Sequence, residues 1–464
     1  MGRQLNELLL RDVEVEGQRV DVRLADGRVA EIGESLPRGG ETLEGLGGAL
    51  LPGLIDHHIH LLAAAAARES VDLSQAASPD RLDAMLRVAA SAASVGGWIR
   101  ATGFHEHRGG ALDRERLDRI VPDRPVRVQH QTGSTWFLNS MAVDRVGEDT
   151  PPPGVDLALG RAERADEWLR GRIGADPPGL GVIGRDLAAA GVTGVSDASV
   201  TNDTSSAALF ADAQAAGELP QRVMMMSGGT LELQPSDRLM RGPVKILLDD
   251  HRLPPLEAIT AAIHAARRQG RRVGVHCVTA GELALTLAAF AEAGAISGDR
   301  IEHGGVIPAS SLPVIAKLRL TIVTQPAFPW QRGDRYLAEV EPREHSDLYR
   351  CATLLRAGVP VGGSSDAPYA SLDPWAAMRA ATTRLTPSGQ TLGADEAINP
   401  RAALNLYLGR FEDPGGAPRR VVAGAPADLC LLDMPLTPAL KVLGRERVRA
   451  TFRAGEIIFA APGS

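Results

Sequence analysis

Leu51-Pro52-Gly53-Leu54-Ile55-Asp56-His57-His58-Ile59-His60-Leu61 is the stretch on which the reading of this chain turns. A short apolar run bounded by Pro52-Gly53 reads as a strand, and it ends in a group of imidazoles. Side chains two apart in an extended strand point the same way, so His58 and His60 converge while Ile59 faces away. Neutral imidazole is a good transition-metal ligand, and the pair has bidentate spacing. A polar strand end is the alternative reading of the same motif. His57 has the opposite direction and is expected to be structural or to support the pair.

Outward from this segment the middle of the chain alternates short apolar strands with helix-sized, alanine-rich intervals. The further strands are expected at Gly194–Asp197, Val223–Met226, Val244–Leu248, Val273–His276, Arg300–His303, Thr321–Thr324 and Val359–Gly362. With Leu54–Asp56 these make eight, the number that closes a (β/α)8 barrel. Too much chain separates the first strand from the second for one connection. An insertion is expected over residues 62–185, with a helix at Asp80–Ala93, strands at Trp98–Phe104 and Val126–Gln129, and a polar helix near Ala162–Arg172; it is expected to form a substrate-facing lobe over the barrel mouth. Both termini alternate polar and apolar residues, in Asp12–Val15, Val20–Leu24, Ala427–Leu432 and Arg447–Ile458. The resulting expectation is an α/β TIM barrel over 51–415 and a small β-sandwich domain assembled from 1–50 and 416–464.

Composition supports this and excludes other classes. Of 464 residues, 44% are hydrophobic and 4% aromatic, with 50 glycines and 31 prolines, so a large aliphatic core sits between many punctuated connections. A net charge of -7 and the lack of a basic stripe give no reason to expect nucleic acid. No run reaches about 18 uncharged apolar residues, and the opening segment has no leader pattern, so a membrane is not expected. Cys277, Cys351 and Cys430 cannot make a disulfide framework, and a cytoplasmic location is expected. Cys277 reads as a buried structural thiol. No GxxxxGK[ST] or strand-linked GxGxxG pattern points to a phosphate.

Further candidates fall at other strand ends. His276 and His303 each close a short apolar run, so parallel neighbours would place both imidazoles on the same rim. Asp366 closes Val359-Pro360-Val361-Gly362-Gly363-Ser364-Ser365-Asp366, where it could bind metal and accept a proton, or simply cap a turn. Lys245 lies in an apolar strand, where an unpaired ammonium is expensive. It either pairs with a carboxylate such as Asp249 or reacts with carbon dioxide to give a carbamate. His105, His130, Trp136, His251, Phe328 and Trp330 are candidates for the substrate pocket, with ordinary packing or surface exposure as the alternative.

Together these segments resemble the metal-dependent amidohydrolase superfamily, in particular its YtcJ-like and N-substituted formamide deformylase-like branch. The matching motifs are LPGLIDHHIHL, GWIRATGFHE, LDRIVPDRPV, FLNS, GVTGVSDA, VKILLDD, RIEHGG and GSSDAP, between about residues 51 and 370. The resemblance implies that His58, His60, Lys245, His276, His303 and Asp366 are metal ligands, with Lys245 carboxylated. It also implies two divalent metal ions, zinc being expected, and catalytic roles for Asp366, Lys245 and His276. Three positions depart from the branch: Ser134 stands where a His is usual, the Gly-Asp pair is absent after His276, and Asp249-Asp250 follows the lysine strand.

The implied activity is hydrolysis of a non-peptide C–N bond in a small organic amide, N-acyl compound, cyclic amide, urea or carbamate. The resemblance also carries the expectation of a homodimer. A mononuclear deaminase or other hydrolase, and a noncatalytic binding protein on the same scaffold, remain the alternatives.

Overall fold

The computed structural model describes residues 7–93, 96–147, 150–174, 177–234 and 236–462. The chain divides into two compact units, residues 1–60 with 183–464, and residues 61–182.

The first unit contains an eight-stranded parallel sheet: β1 (Leu54–Ile59), β2 (Val192–Asp197), β3 (Arg222–Ser227), β4 (Leu239–Ile246), β5 (Val273–Cys277), β6 (Arg300–His303), β7 (Thr321–Thr324) and β8 (Val361–Gly363). Each strand pairs with the next in chain order. Just beyond β8 the chain meets β1: Asp366 N donates to His58 O at 2.8 Å and His60 N to Ala367 O at 3.0 Å. The fold is therefore a near-closed (β/α)8-like barrel. Most strand residues are buried on both faces, as in β1 and β2, which explains why they read as continuous apolar runs rather than alternating ones.

Local chemistry sets the crossovers. After β5, Thr279 accepts from Glu282 N while Glu282 accepts from Thr279 N, a capping box that starts the helix Ala280–Ala293. The Thr-x-x-Glu signature therefore occupies the place where the related pattern has Gly-Asp.

Two further four-stranded sheets are built from the terminal segments. One is ordered Arg28–Gly33, Gln18–Ala25, Leu8–Val15, Glu41–Glu44; the other Glu456–Ala460, Val448–Arg453, Leu429–Leu432, Leu50–Pro52. Their inner faces share one apolar core that includes Leu10, Val22, Leu24, Leu429, Leu431 and Phe452, making a β-sandwich. Arg447–Ile458, read from sequence as one segment, is two strands. Ala454 and Gly455 between them have φ of 48° and 81°, the left-handed pair that a two-residue hairpin turn requires.

The second unit, described by itself, holds a six-stranded sheet ordered Val155–Asp156, Arg161–Glu163, Thr135–Leu138, Val126–His130, Ile99–Phe104, Val71–Asp72. Helix Pro79–Ala92 starts at Ser78, whose hydroxyl accepts from Arg81 N, and buries Leu82 and Leu86 against Ile99, Phe104 and Val128. The polar helix expected near 162–172 is the helix Asp166–Ile173, and Arg161–Glu163 before it is a strand. No helix among the described residues is long and apolar enough to cross a membrane.

Candidate metal centre

The strand ends of the barrel bring His58, His60, Lys245, His276, His303 and Asp366 together. His58 and His60 lie with ring centroids 5.3 Å apart, and both present Nε2 to Asp366 Oδ1, at 3.5 and 3.2 Å. Lys245 Nζ is 3.5 Å from His58 Nε2. The His58 and His303 rings are 4.7 Å apart, and those of His276 and His303 4.5 Å. The register of β5 and β6 pairs His276 with Glu302 and Cys277 with His303, which puts the two imidazoles on neighbouring strand ends. His303 and Asp366 have φ of 70° and 55°, a left-handed backbone that non-glycine residues adopt at a cost and that clusters at functional sites.

The rings are oriented by groups that the motifs did not single out. Glu302 Oε2 accepts a hydrogen bond from His58 Nδ1–H at 2.5 Å, and Arg300 pairs with the same carboxylate. Gly274 makes room for it, since a Cβ there would lie 2.7 Å from Glu302 Oε1. His303 is fixed by a chain that can be read from its far end. Thr324 O accepts from Ser364 Oγ at 2.9 Å, so Ser364 Oγ accepts from Gln325 Nε2 at 3.0 Å. Gln325 Oε1 then faces His303 Nδ1 at 2.9 Å and accepts its proton. His60 Nδ1 lies 3.0 Å from Ser199 Oγ. Asp56 Oδ1 accepts from His58 N at 3.1 Å and Ser365 N at 3.0 Å, tying the first strand to the last; burial pushes its carboxyl up to about 6. Such supporting bonds select the tautomer a ligating imidazole needs.

Electrostatics agree with neutral imidazoles. Burial drives His58 and His303 well below the usual histidine range, helped at His58 by Lys245 and at His303 by the neighbouring rings. Burial and Lys245 push His276 down to about 3. Burial likewise pushes the Lys245 ammonium down to about 8, opposed by Glu302 and Asp366. Burial favours the neutral form of Glu302, but Arg300 and Lys245 outweigh it and hold the carboxyl below its ordinary value.

The donor set fits a cation. With its Nδ1–H donated to Glu302, His58 carries a lone pair on Nε2, which lies 3.5 Å from both Lys245 Nζ and Asp366 Oδ1. Asp366 Oδ1 is buried and has no hydrogen-bond partner. Lone pairs held face to face in a dry site are stabilised by a shared positive charge. His58, His303 and Asp366 each offer one ligand atom, all within 4.8 Å of one another. A second group with the same property is His105, Glu106 and His130, in the other unit.

The residues expected to line the pocket have separate surroundings. Phe328 is buried, its ring 5.2 Å from Tyr349 and beneath the Arg332 guanidinium. Arg332 Nη2 donates to Tyr369 O at 2.6 Å, and the Tyr369 ring stands edge-on to His60 at 5.7 Å. A chain of contacts thus links Phe328 through Arg332 to Tyr369 beside His60, and neither Arg332 nor Tyr369 was singled out in the sequence. Trp330 is 38% exposed on the helix Ala327–Glu339, and His251 is exposed in the short turn Asp250–Arg252. In the second unit Trp136 packs in an apolar cluster and donates Nε1–H to Asp166 at 2.8 Å, while His105 and His130 are half-buried. Cys277 is buried against Thr286, and its thiol is pushed up to about 12, which fits a structural group.

Comparison with known proteins gives a consistent picture. Residues 46–459 match the model of the Amidohydrolase family. The chain is 27% identical to the N-substituted formamide deformylase of Arthrobacter pascens, over 96% of this chain and 95% of that protein. It is 23% identical to YtcJ of Bacillus subtilis (strain 168), a candidate amidohydrolase, over 78% of this chain and 79% of that one. A metal-dependent hydrolase from Pyrococcus horikoshii OT3 shares the fold with a TM-score of 0.75, at 21% identity, over 92% of this chain and 97% of that chain.

Proposed function

Because the chain belongs to the amidohydrolase family, within which it is a metal-dependent hydrolase related to YtcJ and the formamide deformylase, we propose that it hydrolyses a non-peptide C–N bond of a small organic amide, urea or carbamate. The observation that carries this reading is the convergence of His58 Nε2 and His60 Nε2 on Asp366 Oδ1, a buried oxygen with no hydrogen-bond donor. His58, His60, Lys245, His276, His303 and Asp366 would hold two divalent ions, with zinc the expected metal. When bound, these would lower the pKa of water and polarise the substrate carbonyl.

The chain's own residues supply the rest. Asp366 accepts the proton released by the attacking water and returns it to the leaving nitrogen, so one carboxylate serves both halves of the reaction. Lys245 adds its amine to carbon dioxide: an Nζ–C bond forms, the nitrogen loses a proton, and a carbamate anion with two ligand oxygens replaces a buried cation. His276 and His303 keep their neutral form because burial disfavours the charged one. Tyr369, Arg332 and Phe328 form a wall along which a small organic group could lie.

A mononuclear reading is favoured by one observation: the three donors within 4.8 Å of one another, His58, His303 and Asp366, suffice for a single ion. An amino-group hydrolase would then be the better description. Metal removal, reconstitution with zinc and a screen over N-formyl compounds, amides, cyclic amides, ureas and carbamates tests both. Two ions per chain in the barrel, mass addition of carbon dioxide at Lys245 and turnover of a C–N carbonyl substrate are expected. One ion, an unmodified lysine and release of ammonia from an amino-substituted ring would favour the mononuclear alternative. No turnover by fully loaded protein of these compounds or of amino-substituted rings would contradict the hydrolase reading.

A further inference from the structure

His105, Glu106 and His130 lie outside the barrel, in the 61–182 unit, and the reaction proposed above does not use them. The backbone brings them together. Strands Ile99–Phe104 and Val126–His130 are parallel neighbours with Phe104 paired to His130, and Gln131 N donates to Phe104 O at 2.8 Å. His105 and His130 therefore leave adjacent strand ends side by side, with ring centroids 5.4 Å apart. Glu106 Oε2 sits 3.2 Å from His130 Nε2 and 4.0 Å from His105 Nδ1. We propose that His105, Glu106 and His130 form an auxiliary site for a divalent transition-metal ion, with zinc as its simplest occupant.

Three arguments support it. The donor set is two imidazoles and one carboxylate, the mixture that borderline cations such as zinc, nickel and copper prefer over calcium or magnesium. The ligand atoms are within 4.8 Å of one another, and tetrahedral zinc needs them about 3.3 Å apart, so closing the site takes only small rotations of half-exposed side chains. His130 Nδ1 lies 2.8 Å from Thr132 Oγ1, which is 2.9 Å from Ser134 Oγ, and accepts from Thr132 N at 3.3 Å; a cation on Nε2 would place the proton on Nδ1, where Thr132 Oγ1 is the acceptor and the bond from Thr132 N is given up. Ser134, the position that departs from the related branch, thus takes part in supporting His130.

A hydrogen bond competes for His105. Its Nδ1 accepts from His107 N at 3.1 Å, and a cation would take over that lone pair. His107 is exposed, so the released N–H is satisfied by water at little cost. The His130–Glu106 contact could equally be closed by a proton, and metal stoichiometry separates the two cases.

The test uses full-length protein, stripped, loaded with zinc, desalted and measured for metal per chain by mass spectrometry. Glu106 is exposed enough that Glu106→Gln should fold normally, and His130→Ala, His105→Ala and a surface control, His264→Ala, complete the set. The expectation is one equivalent fewer zinc in His130→Ala and His105→Ala, an affinity lowered at least tenfold in Glu106→Gln, and no change in His264→Ala. Copper-loaded wild type should show nitrogen hyperfine structure that His130→Ala simplifies, in a sample whose barrel ligands are intact. Equal zinc content and affinity in all four variants and wild type would overturn the proposal and leave the contact as a protonated histidine–glutamate pair.

Discussion

Glu302→Gln probes the support beneath the metal centre. Glu302 is fully buried, accepts a hydrogen bond from His58 Nδ1–H at 2.5 Å, and is the carboxylate partner of Arg300, whose Nη2 is 3.2 Å from Oε2. Arg300 Nη1 already lacks a partner, and Arg300 is only 1% exposed. Removing the carboxylate charge strands a buried guanidinium, which typically costs about 3–5 kcal/mol, a large share of a stability of about 5–15 kcal/mol. It also removes the acceptor that fixes the His58 tautomer, and losses of this kind lower metal affinity about 10–100-fold. Urea unfolding of metal-free protein measures the first effect, and zinc competition with a chromophoric chelator the second. The double variant Arg300→Met with Glu302→Met separates them: it should recover most of the stability, since no charge is left unpaired, while zinc affinity stays low. If Glu302→Gln unfolds within about 0.5 kcal/mol of wild type and binds zinc within a factor of two, Glu302 neither compensates Arg300 nor orients His58.

Other outcomes follow from single contacts. Gly274→Ala would place a methyl 2.7 Å from Glu302 Oε1 and 2.5 Å from Met226 Cε, so zinc affinity should fall as in Glu302→Gln; unchanged affinity would show that the carboxylate can shift freely. Asp203 caps the helix Thr204–Ala215, accepting from Ser206 N at 2.9 Å, and this bond, with that from Ser205, holds its carboxyl below its ordinary value. Asp203→Ala should cost about 1 kcal/mol at neutral pH. Because the folded pKa is lowered, the contribution is present above about pH 4 and is lost as pH falls through the folded value, so wild type and variant should converge in acid. Cys277, Cys351 and Cys430 are buried with thiols pushed up to about 12, 11 and 12, so a thiol reagent should label none of them quickly until denaturant is added. Rapid labelling of Cys277 with loss of turnover would instead make it a nucleophile.

The barrel was legible because its strands are short buried runs, most of them apolar, between turn residues, and the period-two spacing of His58 and His60 survives in the three-dimensional site. Boundaries were less so: β4 begins at Leu239, several residues before the apolar run that marked it, because Arg241, Gly242 and Pro243 interrupt the pattern without ending the strand. The supporting residues were hidden for a different reason. Glu302 meets His58 across 244 positions of sequence and Gln325 meets His303 across 22, so no local period announces either contact. Only the strand register creates them. The capping box at Thr279 is a local signal, a Thr-x-x-Glu pattern carried by consecutive residues.

Anomalous diffraction at the zinc edge, from crystals of the zinc-loaded protein, tests the shared-cation claim most directly. Zinc peaks within about 2.0–2.3 Å of His58, His60, His276, His303 and Asp366 atoms at the strand ends of the barrel are the expected result. A fully loaded protein whose zinc lies elsewhere, with Asp366 Oδ1 still facing the bare imidazoles, would contradict it.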